Sequence, residues 1–289
     1  MSSRILRCGD HSLSLGVPRV MGIVNVTPDS FSDGGRFDSA AAAIDFAQSL
    51  RTQGADILDV GGESTRPGAA PVPEEVELAR VLPVVTALAR DGALVSIDTM
   101  KPGVMRAALD AGAVMVNDVR ALRAPGAMEG VAGSAAAVCL MHMQGEPQSM
   151  QVAPRYDDVV GEVRTFLAAR AAACEAAGLD RERIAVDPGF GFGKTVAHNL
   201  ALLRGLDAIA ALGYPVVAGL SRKRTLGVLT GRPDGDRLAG SVAAALAAVV
   251  RGAAIVRVHD VAATVDALRV WTAAFAVTEN SLSKFPSQD

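Results

Sequence analysis

The chain contains 289 residues, of which half are hydrophobic and a fifth are charged. This composition excludes a disordered chain and supplies enough apolar material for two ordinary domains or one large α/β domain. Lys and Arg together number 28, and Asp and Glu 31, which gives a net charge of −3. Such a balance excludes a general nucleic-acid or membrane-surface binder, so any anion that the protein binds must be held by a local site.

The cysteines and the apolar segments indicate where the protein resides. The three cysteines form no C-x-x-C pair, which favours reduced thiols over disulfides or a zinc site. The longest apolar run, Val242–Val250, has nine residues, whereas a membrane-spanning helix needs about 20. The first ten residues lack the apolar run of a signal peptide. We therefore expect a cytoplasmic protein that is not inserted in a membrane.

Short apolar, β-branched runs recur along the chain, and each ends in polar residues. The eight runs are Val20–Asn25, Asp56–Gly61, Leu94–Asp98, Val114–Asn117, Ala137–His142, Ile184–Asp187, Pro215–Ser221 and Ile255–His259. Helix-like stretches lie between them, namely Ala40–Gln53, Pro73–Arg90, Lys101–Ala111, Ala124–Ser134, Tyr156–Ala177, Asn199–Leu212 and Arg237–Arg251. Before the first run, Ile5–Arg7 and Ser12–Leu15 flank a short turn, which is typical of a hairpin.

This alternation predicts a parallel sheet, and eight strand–helix units favour a closed (β/α)8 barrel, a TIM barrel, over an open doubly wound sheet. The dinucleotide fingerprint G-x-G-x-x-G does not follow the first run. We interpret residues 1–279 as one barrel domain, in which residues 1–19 hold an N-terminal β-hairpin that covers the bottom of the barrel. Residues 280–289 are expected to form a flexible tail.

Polar side chains stand at or just after the ends of the predicted strands, where barrel enzymes carry their active sites. They are Asn25, Glu63, Asp98, Asn117, His142, Asp187, Ser221, Lys223, Arg257 and His259. A single such residue can simply mark where a strand leaves the core. Polar residues at eight ends that converge on one rim favour a site, because burying unpaired polar groups costs about 1–3 kcal/mol each.

Four residues suit a diphosphate with a bound Mg²⁺ ion. Arg257 and His259 are two apart on one strand and point to the same side, and Arg66, in the loop after the second strand, can join them. Asn25 offers a neutral amide oxygen to a hard cation that the phosphate oxygens themselves mainly hold. A rim salt bridge for Arg257 and a structural imidazole for His259 are the alternatives.

Asp98, Asn117 and Asp187 suit a planar nitrogen heterocycle. A carboxylate can accept two parallel N–H bonds from an amino-pyrimidine edge, and an amide can read the mixed donor–acceptor edge beside it. Acid–base catalysis and metal ligation are alternatives for the carboxylates, although no H-x-H or HExxH spacing is present. Neither Ser221 nor Cys139 has the context of an activated nucleophile, so the chemistry should depend on positioning and on stabilising a leaving group.

Three glycine-containing segments need separate interpretations. Gly189–Thr195 looks like a phosphate loop, but Pro188 stands where the Walker pattern needs glycine, so its alternating glycines favour a tight turn instead. Thr27–Phe37 and Glu63–Pro73 are rich in Gly, Pro and Ser and carry a lone aromatic or Arg side chain. This is typical of lids that close over a substrate, with ordinary connecting loops as the alternative.

Eight motifs follow one another along the chain, namely Met21–Gly35, Gly61–Gly68, Ser96–Thr99, Asn117–Asp118, Met141–Gly145, Asp187–Lys194, Ser221–Lys223 and Arg257–Asp260. Together they resemble the dihydropteroate synthase family over roughly residues 5–275. The resemblance implies a barrel enzyme that joins 4-aminobenzoate to 6-hydroxymethyl-7,8-dihydropterin diphosphate and releases diphosphate. It also implies Mg²⁺ as cofactor, a homodimer, and sulfonamides as inhibitors.

The resemblance further implies a role for each matched residue. Asp98, Asn117, Asp187 and Lys223 would bind the pterin, with Met141 and Arg257 packing on its faces. Asn25, Arg257 and His259 would bind diphosphate, and Asn25 would bind the metal. Thr65, Arg66, Pro67, Phe31, Phe192 and Ser221 would shape the aminobenzoate pocket. The group acting directly in catalysis would be Asn25, Arg66, Lys223, Arg257 and His259, with diphosphate leaving to give a pterin cation that the amine attacks.

Two other functions fit part of the pattern. A pterin-binding methyltransferase would share the barrel and the pterin pocket, but it has no use for the diphosphate group of Asn25, Arg257 and His259. A catalytically silent pterin-binding homologue would act as a partner or regulator, and intact anion-binding residues argue against it.

Overall fold

The computed structural model describes residues 5–27, 36–64, 68–146 and 149–275. Its strands are β1 (Ile5–Cys8), β2 (His11–Ser14), β3 (Arg19–Asn25), β4 (Ile57–Gly61), β5 (Val95–Asp98), β6 (Met115–Asp118), β7 (Ala137–Met141), β8 (Ile184–Asp187), β9 (Val216–Ala218) and β10 (Ala253–Val258). β1 and β2 pair antiparallel, and β3 to β10 are parallel and close into a barrel in which β10 pairs with β3. The predicted TIM barrel with an N-terminal hairpin is confirmed.

Helices follow the barrel strands and cover the outside. They are α1 (Arg36–Thr52), α2 (Glu74–Arg90), α3 (Pro102–Asp110), α4 (Ala127–Ala132), α5 (Val159–Ala176), α6 (Val196–Arg204), α7 (Leu206–Ala210), α8 (Arg224–Thr230), α9 (Leu238–Val250) and α10 (Val261–Phe275). α1 begins at Arg36, within the segment predicted as the first loop, and α8 and α10 have no counterpart among the predicted elements.

The prediction of one helix over Asn199–Leu212 is wrong. Gly205 separates α6 from α7, with φ −98° and ψ 19°. A Cβ at Gly205 would lie 3.0 Å from Cγ2 of Val160, so the chain passes close to α5 at this point. Glycine both permits that approach and weakens a helix, which explains the break.

The strands alternate between the barrel interior and the helical layer, as a period of two requires. Ala185 belongs to the interior cluster, whereas its neighbours Ile184 and Val186 pack in the cluster that faces the helices. The hairpin closes the interior from below, since Leu6 and Leu13 belong to the same cluster as Ala185. The predicted position of the hairpin at the bottom of the barrel is therefore confirmed, and the opposite end is left for a site.

Two further predictions concern the ends and the membrane. Within the described residues, no helix is long and apolar enough to cross a membrane. The predicted tail, residues 280–289, lies outside the described residues, as does the domain boundary at residue 279.

Candidate functional site

The site begins with the last inward-facing residue of each strand. Side chains along a strand alternate between the inside and the outside of the barrel, so a residue two positions after an inward-facing one also points inward. At the ends of the strands these inward-facing residues lie at the rim that the hairpin does not cover. In β4, Ile57 belongs to the interior cluster and Asp59 follows it, two residues on. In the neighbouring strands Asp59 pairs in register with Ser96, and Asp98 pairs with Asn117. A polar layer therefore lies on top of the apolar one.

Arg257 ties this polar layer together. Its Nε donates to Oδ2 of Asp59 at 2.6 Å, and its Nη2 donates to Oδ2 of Asp98 at 2.5 Å. Asn117 Nδ2 donates to the same oxygen of Asp59 at 3.0 Å. The salt bridge considered as an alternative for Arg257 thus exists, but it lies at the centre of the site rather than at a remote rim.

Asp59 is a site residue that the sequence analysis missed. It lies in the middle of a buried strand and is completely inaccessible to solvent. The sequence does contain a signal, because a carboxylate within an apolar strand is seldom buried unless it is paired. Its place inside β4, rather than at the strand end, sets it apart from the site residues that the strand ends predict.

Two carboxylate oxygens in this network have no partner within the described residues. They are Oδ1 of Asp59 and Oδ1 of Asp98, and both atoms are buried. Burial raises the pKa of Asp98 to about 7; Arg257 opposes this rise, and Asp59 adds to it. Buried acceptors without donors are costly, so these two oxygens suit a ligand that brings N–H groups.

Asp187 and Lys223 complete the rim on the opposite side. Asp187 Oδ1 accepts from the backbone N–H of Gly189 at 2.7 Å, and burial raises the pKa of this carboxyl. Lys223 donates to the carbonyl of Phe190, and burial lowers its pKa to about 8. A Cβ added to Gly219 would lie 3.7 Å from Lys223 Nζ and 3.9 Å from Asp187 Oδ2, so the glycine leaves room between them.

An apolar wall adjoins these polar groups. Met141, at the end of β7, clusters with the buried side chains of Val119, Met143 and Met150, against which Phe192 packs. Lys223 Nζ lies 4.7 Å from the centre of the Phe192 ring, so polar and apolar parts of the site meet there. Methionine and aromatic side chains are well suited to the face of a flat ring.

The turn after β8 is built as the sequence analysis predicts. Gly189, Gly191 and Gly193 have φ values of 69°, 81° and 61°, a region that side chains other than glycine rarely adopt. A Cβ on Gly189 would lie 1.9 Å from the carbonyl oxygen of His142. The glycines therefore serve a tight turn against β7, and the interpretation as a phosphate loop is not needed.

The buried side chain of Lys194 holds this turn through hydrogen bonds. Its Nζ lies 2.9 Å from the carbonyl oxygens of both Gly189 and Phe192 and 3.0 Å from His142 Nδ1. Burial lowers the pKa of Lys194 to about 7, and burial together with Lys194 lowers that of His142 to about 3. His142 is thus a neutral structural partner rather than a member of the open site.

His259, which follows the last barrel strand, is predicted to bind an anion together with Arg257. His259 Nδ1 lies 3.0 Å from Ser221 Oγ, which also accepts from the backbone N–H of His259 at 3.2 Å. Asn25, at the end of β3, is half-buried and pairs in register with Gly61, which itself pairs with Asp98. Asn25 and His259 therefore lie at the ends of two neighbouring strands, β3 and β10, and Arg257 is on β10 itself.

Glu63, at the second strand end, belongs to an ion-pair cluster. Lys101 Nζ donates to Oε2 of Glu63 and to Oε2 of Glu77, and the Glu77 side chain is fully buried. Burial alone would lower the pKa of Lys101, but the hydrogen bonds to both carboxylates raise it above its usual value. The sequence predicts Glu63 as a site residue from its place after a strand, whereas Lys101 and Glu77 fall within predicted helices and are not predicted as site residues.

Four predicted site residues, Phe31, Thr65, Arg66 and Pro67, lie outside the described residues, which omit 28–35 of the first predicted lid and 65–67 of the second. The described residues contain no group of three His, Cys, Asp or Glu side chains placed to hold a metal ion. Any cation here would need oxygen ligands from elsewhere, such as amides or the substrate.

Comparisons with known proteins identify the family of this chain. The model of a family described as pterin binding enzyme matches residues 21–259. A dihydropteroate synthase from Neisseria meningitidis serogroup C is 52% identical over 278 residues, which cover 94% of this chain and 98% of that protein. The Escherichia coli K12 dihydropteroate synthase is 50% identical over 270 residues, covering 93% and 96%. The chain belongs to the dihydropteroate synthase family.

Solved structures of dihydropteroate synthases share the fold. The Xanthomonas albilineans enzyme with 4-aminobenzoic acid has a TM-score of 0.91 and 56% identity, covering 96% of this chain and all of that one. The same enzyme in complex with 7,8-dihydropteroate has a TM-score of 0.87 and 54% identity, covering 95% and 100%. A Yersinia pestis dihydropteroate synthase with a sulfonamide drug has a TM-score of 0.89 and 46% identity, covering 94% and 99%. The chain is thus a transferase of this family.

Proposed function

We propose that the protein condenses 6-hydroxymethyl-7,8-dihydropterin diphosphate with 4-aminobenzoate to give 7,8-dihydropteroate and diphosphate. The observation that carries this proposal is the pair of buried oxygens on Asp59 and Asp98 that have no partner among the described residues, on the same rim as the apolar wall of Met141. This combination accepts N–H donors at the edge of a flat ring and covers its face. Relatives about half identical to this chain carry the name of that activity.

The pterin would lie between the polar layer and the apolar wall. At the ends of β8 and β5, Asp187 is buried and Asp98 is partly buried with its Oδ1 atom inaccessible, and Asn117 is held by Asp59. Pterin rings carry amino and ring N–H groups along one edge, which a carboxylate can accept in parallel. Lys223 would donate to a ring acceptor, and Met141 and Arg257 would pack on the faces.

The diphosphate would lie towards the ends of β3 and β10. The guanidinium of Arg257 has five N–H groups, and Asp59 and Asp98 take up only two of them. Ser221 orients the ring of His259 through Nδ1. Both side chains would bind the leaving group, and Arg257 would link it to the carboxylates that hold the pterin.

Asn25 fits a supporting role towards Mg²⁺. Its amide oxygen is a hard, neutral donor at the strand end nearest the diphosphate, and the described residues offer no acidic cluster that would hold a cation without substrate. Bound Mg²⁺ would neutralise charge on the departing diphosphate. Asn25 would orient that assembly relative to Arg257 and His259.

The second substrate would bind against Phe192 and Ser221. Phe192 packs beside Met141 and below Lys223, which gives a flat aromatic acid both an apolar surface and a cation. Phe31, Thr65, Arg66 and Pro67 would complete this pocket, as the family resemblance implies. Sulfonamides, which resemble 4-aminobenzoate in shape, would compete for it.

The reaction then needs positioning more than proton transfer. The bond between the pterin methylene and the diphosphate oxygen breaks with its electron pair going to diphosphate. The neutral aryl amine forms the new C–N bond and afterwards loses one proton to solvent. The site contributes by holding the two substrates in line and by stabilising the leaving charge.

Three further features belong to the proposal. The cofactor is Mg²⁺, the protein is a cytoplasmic homodimer, and its partners are small molecules rather than nucleic acid. The TIM barrel and the ligands named in the solved relatives support a small-molecule enzyme.

Product analysis would distinguish the candidate functions. Purified protein with Mg²⁺ and both substrates should form 7,8-dihydropteroate, identified by its mass. Methyl transfer from methyltetrahydrofolate to a corrinoid would instead indicate the methyltransferase. Pterin binding with neither reaction would indicate the silent homologue.

A further inference from the structure

Glu63 connects the two ends of the loop that follows β4. Its Oε1 accepts from the backbone N–H of Val72 at 3.2 Å, nine residues further along the chain. Glu63 also follows directly on Gly62, whose carbonyl oxygen accepts from Arg80 Nη1 at 2.7 Å. The carboxylate therefore closes a loop of which residues 64–71 form the interior.

Lys101 connects the same carboxylate to the neighbouring strand. Its ammonium bonds Oε2 of Glu63, and it stands three residues after Asp98 in the connection from β5 to α3. Through Glu63 and Lys101, the ends of this loop are thus held to the segment that follows β5, the strand that carries Asp98, for which pterin binding is proposed. None of the roles assigned above uses this link.

Glu77 is the second carboxylate that binds the ammonium group of Lys101. The Glu77 side chain is fully buried on α2, and its Oε2 bonds Lys101. The cluster of Glu63, Glu77 and Lys101 carries two negative charges and one positive charge. Such a buried, net-negative arrangement is expensive, and replacing it with apolar side chains would be favourable for the fold alone.

We propose that Glu63 and Lys101 are positioning residues, which fix the loop between Glu63 and Val72 relative to Asp98 so that the second substrate can be used. This inference rests on the proposed function, because the loop interior includes Thr65, Arg66 and Pro67, to which the family resemblance assigns the aminobenzoate. Neither Glu63 nor Lys101 contacts substrate in this scheme. Their effect is on where the loop begins and ends.

The test compares Lys101→Met with a control at the other end of the barrel. Arg19→Met is the control, because Arg19 Nη1 forms a half-buried ion pair with Asp56 at 2.9 Å near the hairpin. Lys101→Met should raise KM for aminobenzoate by about tenfold or more, since small displacements of a binding element are costly, while pterin diphosphate affinity stays within about threefold. Arg19→Met should leave both values unchanged.

Hydrogen exchange gives a readout that does not depend on activity. The Val72 amide should exchange at least about tenfold faster in Lys101→Met than in the wild-type protein, because its acceptor is no longer held. Arg19→Met should not alter this rate. If wild-type protein makes no dihydropteroate, the proposed function fails, and the exchange rates still test the link.

A double variant separates positioning from stability. Glu77→Leu combined with Lys101→Met removes the buried charge that the single change leaves unpaired, so Tm should recover towards the wild-type value. KM for aminobenzoate and exchange at Val72 should nevertheless stay raised. Recovery of KM together with Tm, or an equal rise of KM in Arg19→Met, would overturn the proposal.

Discussion

Asp98 and Arg257 are joined at 2.5 Å through Oδ2 of the carboxylate, while Oδ1 of Asp98 is buried without a partner among the described residues. The guanidinium therefore fixes the orientation of the carboxylate and leaves one oxygen for a ligand. The same holds for Asp59, whose Oδ2 accepts two donors and whose Oδ1 accepts none from the part of the chain that the structure describes. This division of each carboxylate is the basis for the predicted pterin pocket.

Asp98→Asn should weaken pterin binding by about 2–4 kcal/mol, because a donor would then face donors. Arg257 would hold the amide oxygen, so the amide N–H₂ would occupy the position of Oδ1. Calorimetry with 6-hydroxymethylpterin measures the change. Asp118→Asn is the control, since Asp118 is also a buried carboxylate but accepts from the backbone N–H groups of Arg120 and Leu122. Wild-type pterin affinity in Asp98→Asn would show that the carboxylate does not contact the ring.

Gly219→Ala should weaken pterin binding without unfolding the protein. The nearest atoms to the added Cβ would be Lys223 Nζ at 3.7 Å and Arg257 Cβ at 3.9 Å, which are ordinary contacts. The methyl group would instead occupy ligand space, at a cost of about 1–3 kcal/mol of affinity. Tm and pterin affinity are measured together. Gly235→Ala, where the Cβ meets open space, should change neither. Unchanged affinity in Gly219→Ala would place the pterin elsewhere.

The stability of the protein should depend on pH through Lys194. Burial lowers the pKa of Lys194 from its ordinary value of 10.5 to about 7. Between these values the unfolded chain binds a proton that the folded chain does not, so this group makes folding more favourable as pH rises. Each pKa unit corresponds to about 1.4 kcal/mol, so the effect across the window amounts to a few kcal/mol.

Urea unfolding of the wild type and of Lys194→Met at pH 7, 8, 9 and 10 measures this effect. The free energy of unfolding of the wild type should rise relative to that of Lys194→Met as pH increases. The loss of hydrogen bonds in the variant is common to all four values and does not alter the trend. A constant difference would show that Lys194 keeps its ordinary pKa in the folded protein.

Binding of the two substrates should be ordered, with pterin diphosphate first. The aminobenzoate pocket is proposed to include residues of the two predicted lids, and the negative charge of diphosphate would favour the approach of Arg66. Aminobenzoate affinity should therefore rise at least about tenfold when pterin, diphosphate and Mg²⁺ are all supplied. Titration calorimetry with and without this set is the measurement, and equal affinities would contradict the order.

Most of the fold could be predicted from the sequence because the barrel repeats one pattern. The strand positions follow from apolar runs, and Asp98, Asn117 and Asp187 follow from the rule that sites lie at the strand ends. The break at Gly205 could not be predicted, because it depends on the packing of Val160 from another helix.

Residues that act through other residues were harder to find. Asp59 lies inside a strand, and Glu77 is an acidic residue on the buried face of α2, which Val81 and Leu88 share. Their roles depend on Arg257 and Lys101, which are 198 and 24 residues away along the chain. Contacts between residues so far apart in the sequence form only when the barrel closes, so no local sequence pattern predicts them.

Diphosphate release measured in a coupled assay tests the proposed reaction most directly. Purified protein with Mg²⁺ is mixed with pterin diphosphate alone, with 4-aminobenzoate alone, with both, and with both in the presence of a sulfonamide. We expect release only when both substrates are present, in equal amount to the dihydropteroate formed, and we expect the sulfonamide to reduce it. Release from pterin diphosphate without 4-aminobenzoate, or none from the complete mixture, would contradict the assignment.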